Sequence, residues 1–198
     1  MKGAKMKNPN CEVRTFGTKF ETREIDETEN PMISGYFVVF DENYNFAPDM
    51  SESIDRHALD NTINGDIRAL FDHDTSKVLG RTTNGTLQLR LDDHGLWGDI
   101  SINRNDTEAM NLYQRVKRGD INQCSFGFEI LRQEPITRED GGTHWLVKEV
   151  KLYEVSPVTF PAYETTSLSA RSKQIEEIKA EKEQAWKENM LKKLRGEN

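Results

Sequence analysis

Three stretches of this chain carry the residue types of an acyl-transfer site. The first is Asp120-Ile121-Asn122-Gln123-Cys124-Ser125-Phe126-Gly127-Phe128-Glu129-Ile130. From Asn122 onward it alternates, with Cys124, Phe126, Phe128 and Ile130 on one face and Gln123, Ser125, Gly127 and Glu129 on the other. That is the pattern of a β-strand with a solid apolar side, and its other side sets a hydroxyl next to a glycine. Glycine inside a strand often marks a close approach by a ligand or another backbone. The second stretch, Ala69-Leu70-Phe71-Asp72-His73-Asp74, reads as a short apolar strand ending in a histidine. In the third, Val150-Lys151-Leu152-Tyr153-Glu154-Val155-Ser156-Pro157, the carboxylate of Glu154 shares a strand face with Val150 and Leu152, where carboxylates are rare. A serine nucleophile, a histidine base and a carboxylate that orients the base are the parts such chemistry needs.

Each residue also has a plainer reading. A serine on the polar face of a strand is ordinarily just solvated, and Ser125 does not sit in a Gly-x-Ser-x-Gly elbow. Its assignment therefore rests on what faces it. His73, between Asp72 and Asp74, has two functional readings: a general base for Ser125, or one ligand of a metal-dependent hydrolase that uses all three residues. No His-x-x-x-His or second His/Asp cluster lies nearby, which ranks the metal reading low. His57, His94 and His144 read as solvated histidines on a helix, a turn and a loop edge. Glu154 is either the orienting carboxylate or an ordinary cross-sheet ion-pair partner, while Glu149 and Lys151 fall on the opposite face. Backbone N–H groups near Gly127, or Arg81 in Leu79-Gly80-Arg81-Thr82, are the candidates to support a developing oxyanion.

The elements that must position these residues are mostly short strands. Residues 13–25 suit one or two edge strands, and residues 33–40 (ISGYFVVF) a strong one. Residues 51–61 suit a short helix, with Ser51 as its N-cap. Residues 67–71, 78–82, 86–91 and 96–102 read as strands, with a hairpin turn at Asn84-Gly85 and another turn at Asp93-His94-Gly95. Asn105-Asp106-Thr107-Glu108 fits a capping box that opens a helix whose apolar stripe is Ala109, Leu112, Tyr113 and Val116, and Gly119 closes it. The Ser125 strand follows, then a polar tip over 134–142, then a long strand over 143–156 stopped by Pro157. From Ser169 the composition shifts to charged residues. Ile175, Ile178, Trp186, Met190 and Leu194 fall there on an amphipathic helix. The fold class expected is α+β: a β-rich core with surrounding helices and a C-terminal helical tail.

Bulk properties narrow the function. The chain has 198 residues, of which 35% are hydrophobic and 31% charged, with a net charge of −7. Residues 171–198 carry +2, leaving −9 on residues 1–170. An acidic body lacks the basic face that general nucleic-acid binding needs. The two cysteines, Cys11 and Cys124, suggest neither a disulfide framework nor a cysteine zinc site, and fit a reducing compartment. Residues 1–11 read as a flexible leader with no apolar run behind the basic start, so not a signal peptide. No stretch approaches the roughly 20 apolar residues of a membrane span.

Taken jointly and in order, several pieces resemble the prohead (procapsid maturation) serine proteases of tailed bacteriophages, distant relatives of the herpesvirus assemblins. They are Gly35-Tyr36-Phe37-Val38-Val39-Phe40, Phe71-Asp72-His73-Asp74 with Leu79-Gly80-Arg81-Thr82, Gly95-Leu96-Trp97-Gly98, Cys124-Ser125-Phe126-Gly127-Phe128, and Glu154-Val155-Ser156-Pro157-Val158-Thr159-Phe160-Pro161-Ala162. The resemblance spans about residues 12–170, so the expected organisation is a leader (1–11), a protease domain (12–170) and a tail (171–198). It implies a serine endopeptidase with a barrel-like core, needing no metal or organic cofactor. Ser125 would be the nucleophile and His73 the base. Glu154 would be the third member, where the herpesvirus relatives use a second histidine. The implied substrates are a scaffold protein, or the scaffolding segment of the major capsid protein, and the protease itself. Cleavage would take place inside the assembling procapsid, in the cytoplasm of the infected bacterium. Activation by dimerisation in the herpesvirus relatives makes a homo-oligomer a further expectation. The resemblance also gives the tail a role in targeting the enzyme to the shell before self-cleavage removes it. The rival reading is a catalytically inactive assembly or scaffolding protein on the same fold.

Overall fold

The computed structural model describes residues 11–23 and 29–160 and, in the tail, residues 180, 183–184, 186–188, 190–192 and 195. The leader up to residue 10 and the tail positions Ile175, Ile178 and Leu194 lie outside the described residues. Two compact units are formed, residues 1–162 and 163–198. The described tail residues from 180 to 192 are helical.

Alternation and β-branching dictate the first unit. Its strands are β1 (Glu12–Gly17), β2 (Glu21–Arg23), β3 (Met32–Val39), β4 (Tyr44–Ala47), β5 (Met50–Ile54), β6 (Arg68–Phe71), β7 (Asp74–Arg81), β8 (Leu87–Leu91), β9 (Gly95–Ser101), β10 (Gln123–Thr137) and β11 (Thr143–Val158). One helix, α1 (Thr107–Arg118), joins β9 to β10. One sheet runs β1-β10-β11-β5-β4, and β6 and β7 extend it from β11; the other runs β2-β3-β9-β8. The long strand β11 organises the first sheet. It pairs antiparallel with β10, parallel with β5 along Thr143–Val147, and parallel with β6 at Glu154 and Val155.

Both sheets and α1 contribute to one apolar core. Phe37, Leu96, Tyr113, Phe126 and Phe128 are fully buried there, and the rings of Phe126 and Phe128 stack 4.6 Å apart. This anchors the face of β10 opposite Ser125. Helix α1 buries the expected stripe of Ala109, Leu112, Tyr113 and Val116, and Gly119 closes it in the left-handed region at φ 88°. Its cap is Asp106, one residue later than the capping box suggests; the Asp106 carboxylate accepts from the N–H groups of Glu108 and Ala109.

The expected α+β class holds, strand-rich with few helices, and both sheets are open rather than closed into a barrel. Pro157 does not stop β11, which runs on to Val158 with Pro157 paired to Cys124. Two further local expectations fail. The helix over 51–61 is instead β5 followed by turns, because residues 50–54 are all buried and zipped to β11. The Asn84-Gly85 hairpin does not form. Gly85, at φ 74°, ends a short 3-10 turn (Thr82–Asn84) that passes the chain from β7 in one sheet to β8 in the other. The turn at Asp93-His94-Gly95 does join the paired strands β8 and β9.

Candidate active site

His73 sits on the tight turn between β6 and β7. Phe71 pairs with Asp74, leaving Asp72 and His73 as a two-residue loop. Both have positive φ, 52° and 58°, as a type I′ hairpin turn requires. Neither is glycine, and such strained backbone persists only where its surroundings enforce it. Asp72 provides that enforcement. Its N–H donates to Pro157 O (3.1 Å), and its carboxylate accepts from the N–H (2.7 Å) and hydroxyl (2.9 Å) of Thr159. The turn is thus tied to the end of β11, the strand that carries Glu154.

From that turn His73 reaches back to Glu154, with Nδ1 2.6 Å from Oε1. Glu154 is 2% exposed, and its other oxygen, Oε2, accepts from the Ser156 hydroxyl at 2.5 Å. A carboxylate bound in this way favours the imidazole tautomer with its proton on Nδ1 and the lone pair on Nε2. His73 Nε2 is buried and has no hydrogen-bond partner among the described residues. Gly127 lies directly opposite Glu154 in the β10–β11 register, and a Cβ there would collide with Glu154 Oε1. The gap beside Ser125 that the sequence suggests for a ligand is therefore filled by the carboxylate.

Ser125 stands two residues before Gly127 on the same face of β10, paired with Ser156 on one side and Thr15 on the other. It is fully buried. Its hydroxyl donates to Arg14 O at 2.7 Å and accepts from the Thr15 hydroxyl at 3.1 Å. The structure thus joins His73 to Glu154 by a direct bond and sets Ser125 one strand away, across from Ser156. No bond between Ser125 and His73 is present among the described residues.

Arg81 is turned elsewhere: its Nε and Nη2 bond to Asp66 at 2.6 and 2.7 Å. That ion pair holds the exposed Asp66 carboxyl below the usual range. Asp72, His73 and Asp74 diverge, since Asp74 accepts from the N–H and hydroxyl of Ser76. No cluster of three or more potential metal ligands occurs among the described residues. His57 pairs with Asp60, and His94 packs edge-on against Tyr36. His144 is not the solvated residue expected, because it is held between the hydroxyls of Ser51 and Ser53, each 2.9 Å from a ring nitrogen.

Sequence reasoning missed the supporting roles of four residues. Ser156 was legible in principle, two positions beyond Glu154 on the same strand face. Asp72 carried a weak turn signal. The buried ion pair of Arg14 with Glu52 had none, because it joins residues 38 apart on strands that do not pair. Cys11, at the head of β1, is half-buried, and its thiol is pushed up to about 11 by burial and then by the charges of Glu154 and Glu12.

A family model described as caudovirus prohead serine protease matches residues 18–181. No curated protein and no solved structure matches the chain.

Proposed function

Given that this chain belongs to the caudovirus prohead serine proteases, we propose that it is a serine endopeptidase in which Ser125, His73 and Glu154 carry the reaction. The observation that carries this reading is the His73 Nδ1–Glu154 bond, which leaves a buried Nε2 with no partner among the described residues. The Ser125 hydroxyl would turn from Arg14 O to Nε2, lose its proton there and attack the carbonyl carbon of a substrate peptide. The imidazolium, steadied by Glu154, would then give that proton to the leaving amine. Water, deprotonated by the same Nε2, would hydrolyse the acyl-enzyme and restore Ser125. The oxyanion would be met by backbone N–H groups along the Gly127 segment of β10 rather than by Arg81, whose guanidinium Asp66 holds. The reaction as written needs no metal or organic cofactor.

The substrate in this reading is the scaffold, or the scaffolding segment of the major capsid protein, together with the protease itself, inside the assembling procapsid. The tail directs the enzyme to the shell and is then removed. Among the described residues, no helix is long and apolar enough to cross a membrane.

Co-expression with the capsid protein of the same phage, read by intact mass, tests the reading. Wild type should shorten the capsid protein and itself at defined bonds, and Ser125→Ala should do neither. Cleavage by both chains would assign the reaction to another nucleophile. No cleavage by either, with normal shells, would make this a non-catalytic assembly protein.

A further inference from the structure

β1 covers the nucleophile. It pairs antiparallel with β10 from Glu12↔Phe128 to Gly17↔Gln123, on the edge of β10 that β11 leaves open. With β1 in place Ser125 is fully buried, and a substrate reaches it only by displacing β1. The Arg14 carbonyl accepts the hydrogen bond of the Ser125 hydroxyl, the hydroxyl that in the serine-protease reading turns to His73 Nε2. The head of the strand passes close enough to Glu154 for that carboxylate to raise the Cys11 thiol. β1 also precedes the stretch that the family model matches.

The side chain of Arg14 is as informative as its carbonyl. It is 1% exposed and forms an ion pair with Glu52 on β5, itself 1% exposed, through Nε to Oε1 and Nη2 to Oε2 (3.2 Å). Its guanidinium also lies 5.4 Å from the centre of the Phe128 ring. An arginine whose carbonyl accepts from a serine hydroxyl, and whose buried guanidinium meets Glu52 of another strand as well as Glu12 of its own, has the form of a peptide residue just before a scissile bond.

We propose that β1 is a resident stand-in for substrate: the β10 edge receives an extended peptide in its place, and Glu52 selects a basic side chain immediately before the cleaved bond. This rests on the serine-protease reading above. A vacated β10 edge presents unpaired N–H and C=O groups from Gln123 to Phe128, the usual template for an added peptide strand. When β1 leaves, Arg14 departs together with Glu12, the other carboxylate on its guanidinium, and the buried Glu52 loses its arginine; an incoming Lys or Arg restores that pair. Thus β1 must leave before the enzyme can act in trans, and the same residues that keep it shut set its specificity.

The test uses the full chain and quenched-fluorescence peptides spanning residues 9–20, with Arg, Lys, Gln or Glu at the position of Arg14. Ser125→Ala is the blank. Arg14→Gln loosens β1 and should speed cleavage of the Arg and Lys peptides relative to wild type, with the cut falling after the basic residue. Those peptides should be cleaved on the order of a hundredfold faster than the Gln and Glu peptides, the scale for losing one partner of a buried charge pair. Glu52→Lys, added to Arg14→Gln, should reverse the order in favour of Glu. Should either variant fail to fold by circular dichroism, the peptide series with wild type still reads the preference. Ser125-dependent cleavage that ignores the residue before the bond, or no gain from Arg14→Gln, overturns the inference while capsid cleavage still upholds the protease reading. Loss of all Ser125-dependent cleavage, of capsid protein as well as peptides, removes both.

Discussion

Glu154 holds a partner on each oxygen, His73 on Oε1 and Ser156 on Oε2. A carboxylate with one oxygen free could rotate and let the imidazole drift, so in the proposed reaction Ser156 would act as a positioning residue for His73. Ser156→Ala leaves a buried oxygen without its donor, which costs about 1–3 kcal/mol. The expected result is a kcat at least about tenfold lower, roughly 1.4 kcal/mol in the transition state, with KM little changed. Ser156→Thr keeps a hydroxyl and should recover most of the rate. Steady-state kinetics on a cleaved peptide check this, and equal losses in both variants would reduce Ser156 to a packing residue. The sequence singled out Glu154 because an acid among Val150 and Leu152 needs an explanation, and all three are buried. It did not reveal that the explanation includes a second serine, since alternation shows which residues share a face but not which atoms meet.

At the scale of elements, the β6–β7 turn sets where His73 lies. Its two positive φ angles are sustained by the bonds of Asp72 to Thr159 and Pro157. Asp72→Ala keeps the strained turn but removes both side-chain bonds. It should cost about 1–3 kcal/mol. Activity at a temperature where the variant is fully folded should fall as well, because the turn that carries the histidine then keeps only its backbone bond to Pro157 and loses both bonds to Thr159. Asp72→Asn tolerates positive φ and still accepts hydrogen bonds, so it should sit between the two. Thermal melts and kcat, measured together, separate the effects; a loss of stability with unchanged kcat would show that the turn positions nothing. β5 teaches the converse lesson. Ser51-Glu52-Ser53 has no strand character by composition, and it becomes a strand because β11 and β4 supply ladders on its two sides and Arg14 pairs with Glu52.

At the scale of the whole molecule, β5 and β11 also enclose His144. Burial, and then the charge of Arg138, lower its pKa from the usual 6.5. The unfolded chain therefore takes up a proton at higher pH than the folded one. The stability contributed by the neutral ring is fully present above about pH 6.5 and is lost as pH falls through the lower folded value. Melting temperature should accordingly drop on acidification from pH 7 to 5, and His144→Gln should flatten part of that drop. Parallel curves for the two proteins would mean that the ring titrates alike in both states.

The sequence by itself determined the α+β class, nearly all the strands and the helix with its glycine stop, and it singled out Ser125, His73 and Glu154 as the candidates for chemistry. These follow from period, from cap and turn chemistry, and from the oddity of an acid on an apolar face, all of which are local. Only the tertiary structure decided that Asn84-Gly85 crosses between sheets, that residues 50–54 are a strand, that Gly127 makes room for Glu154 rather than for a ligand, and that β1 lies over the serine. Each of those depends on which strands become neighbours. Neighbours are chosen by burial of the common core and by pairing of distant charges such as Arg14 and Glu52, which no local window of sequence contains.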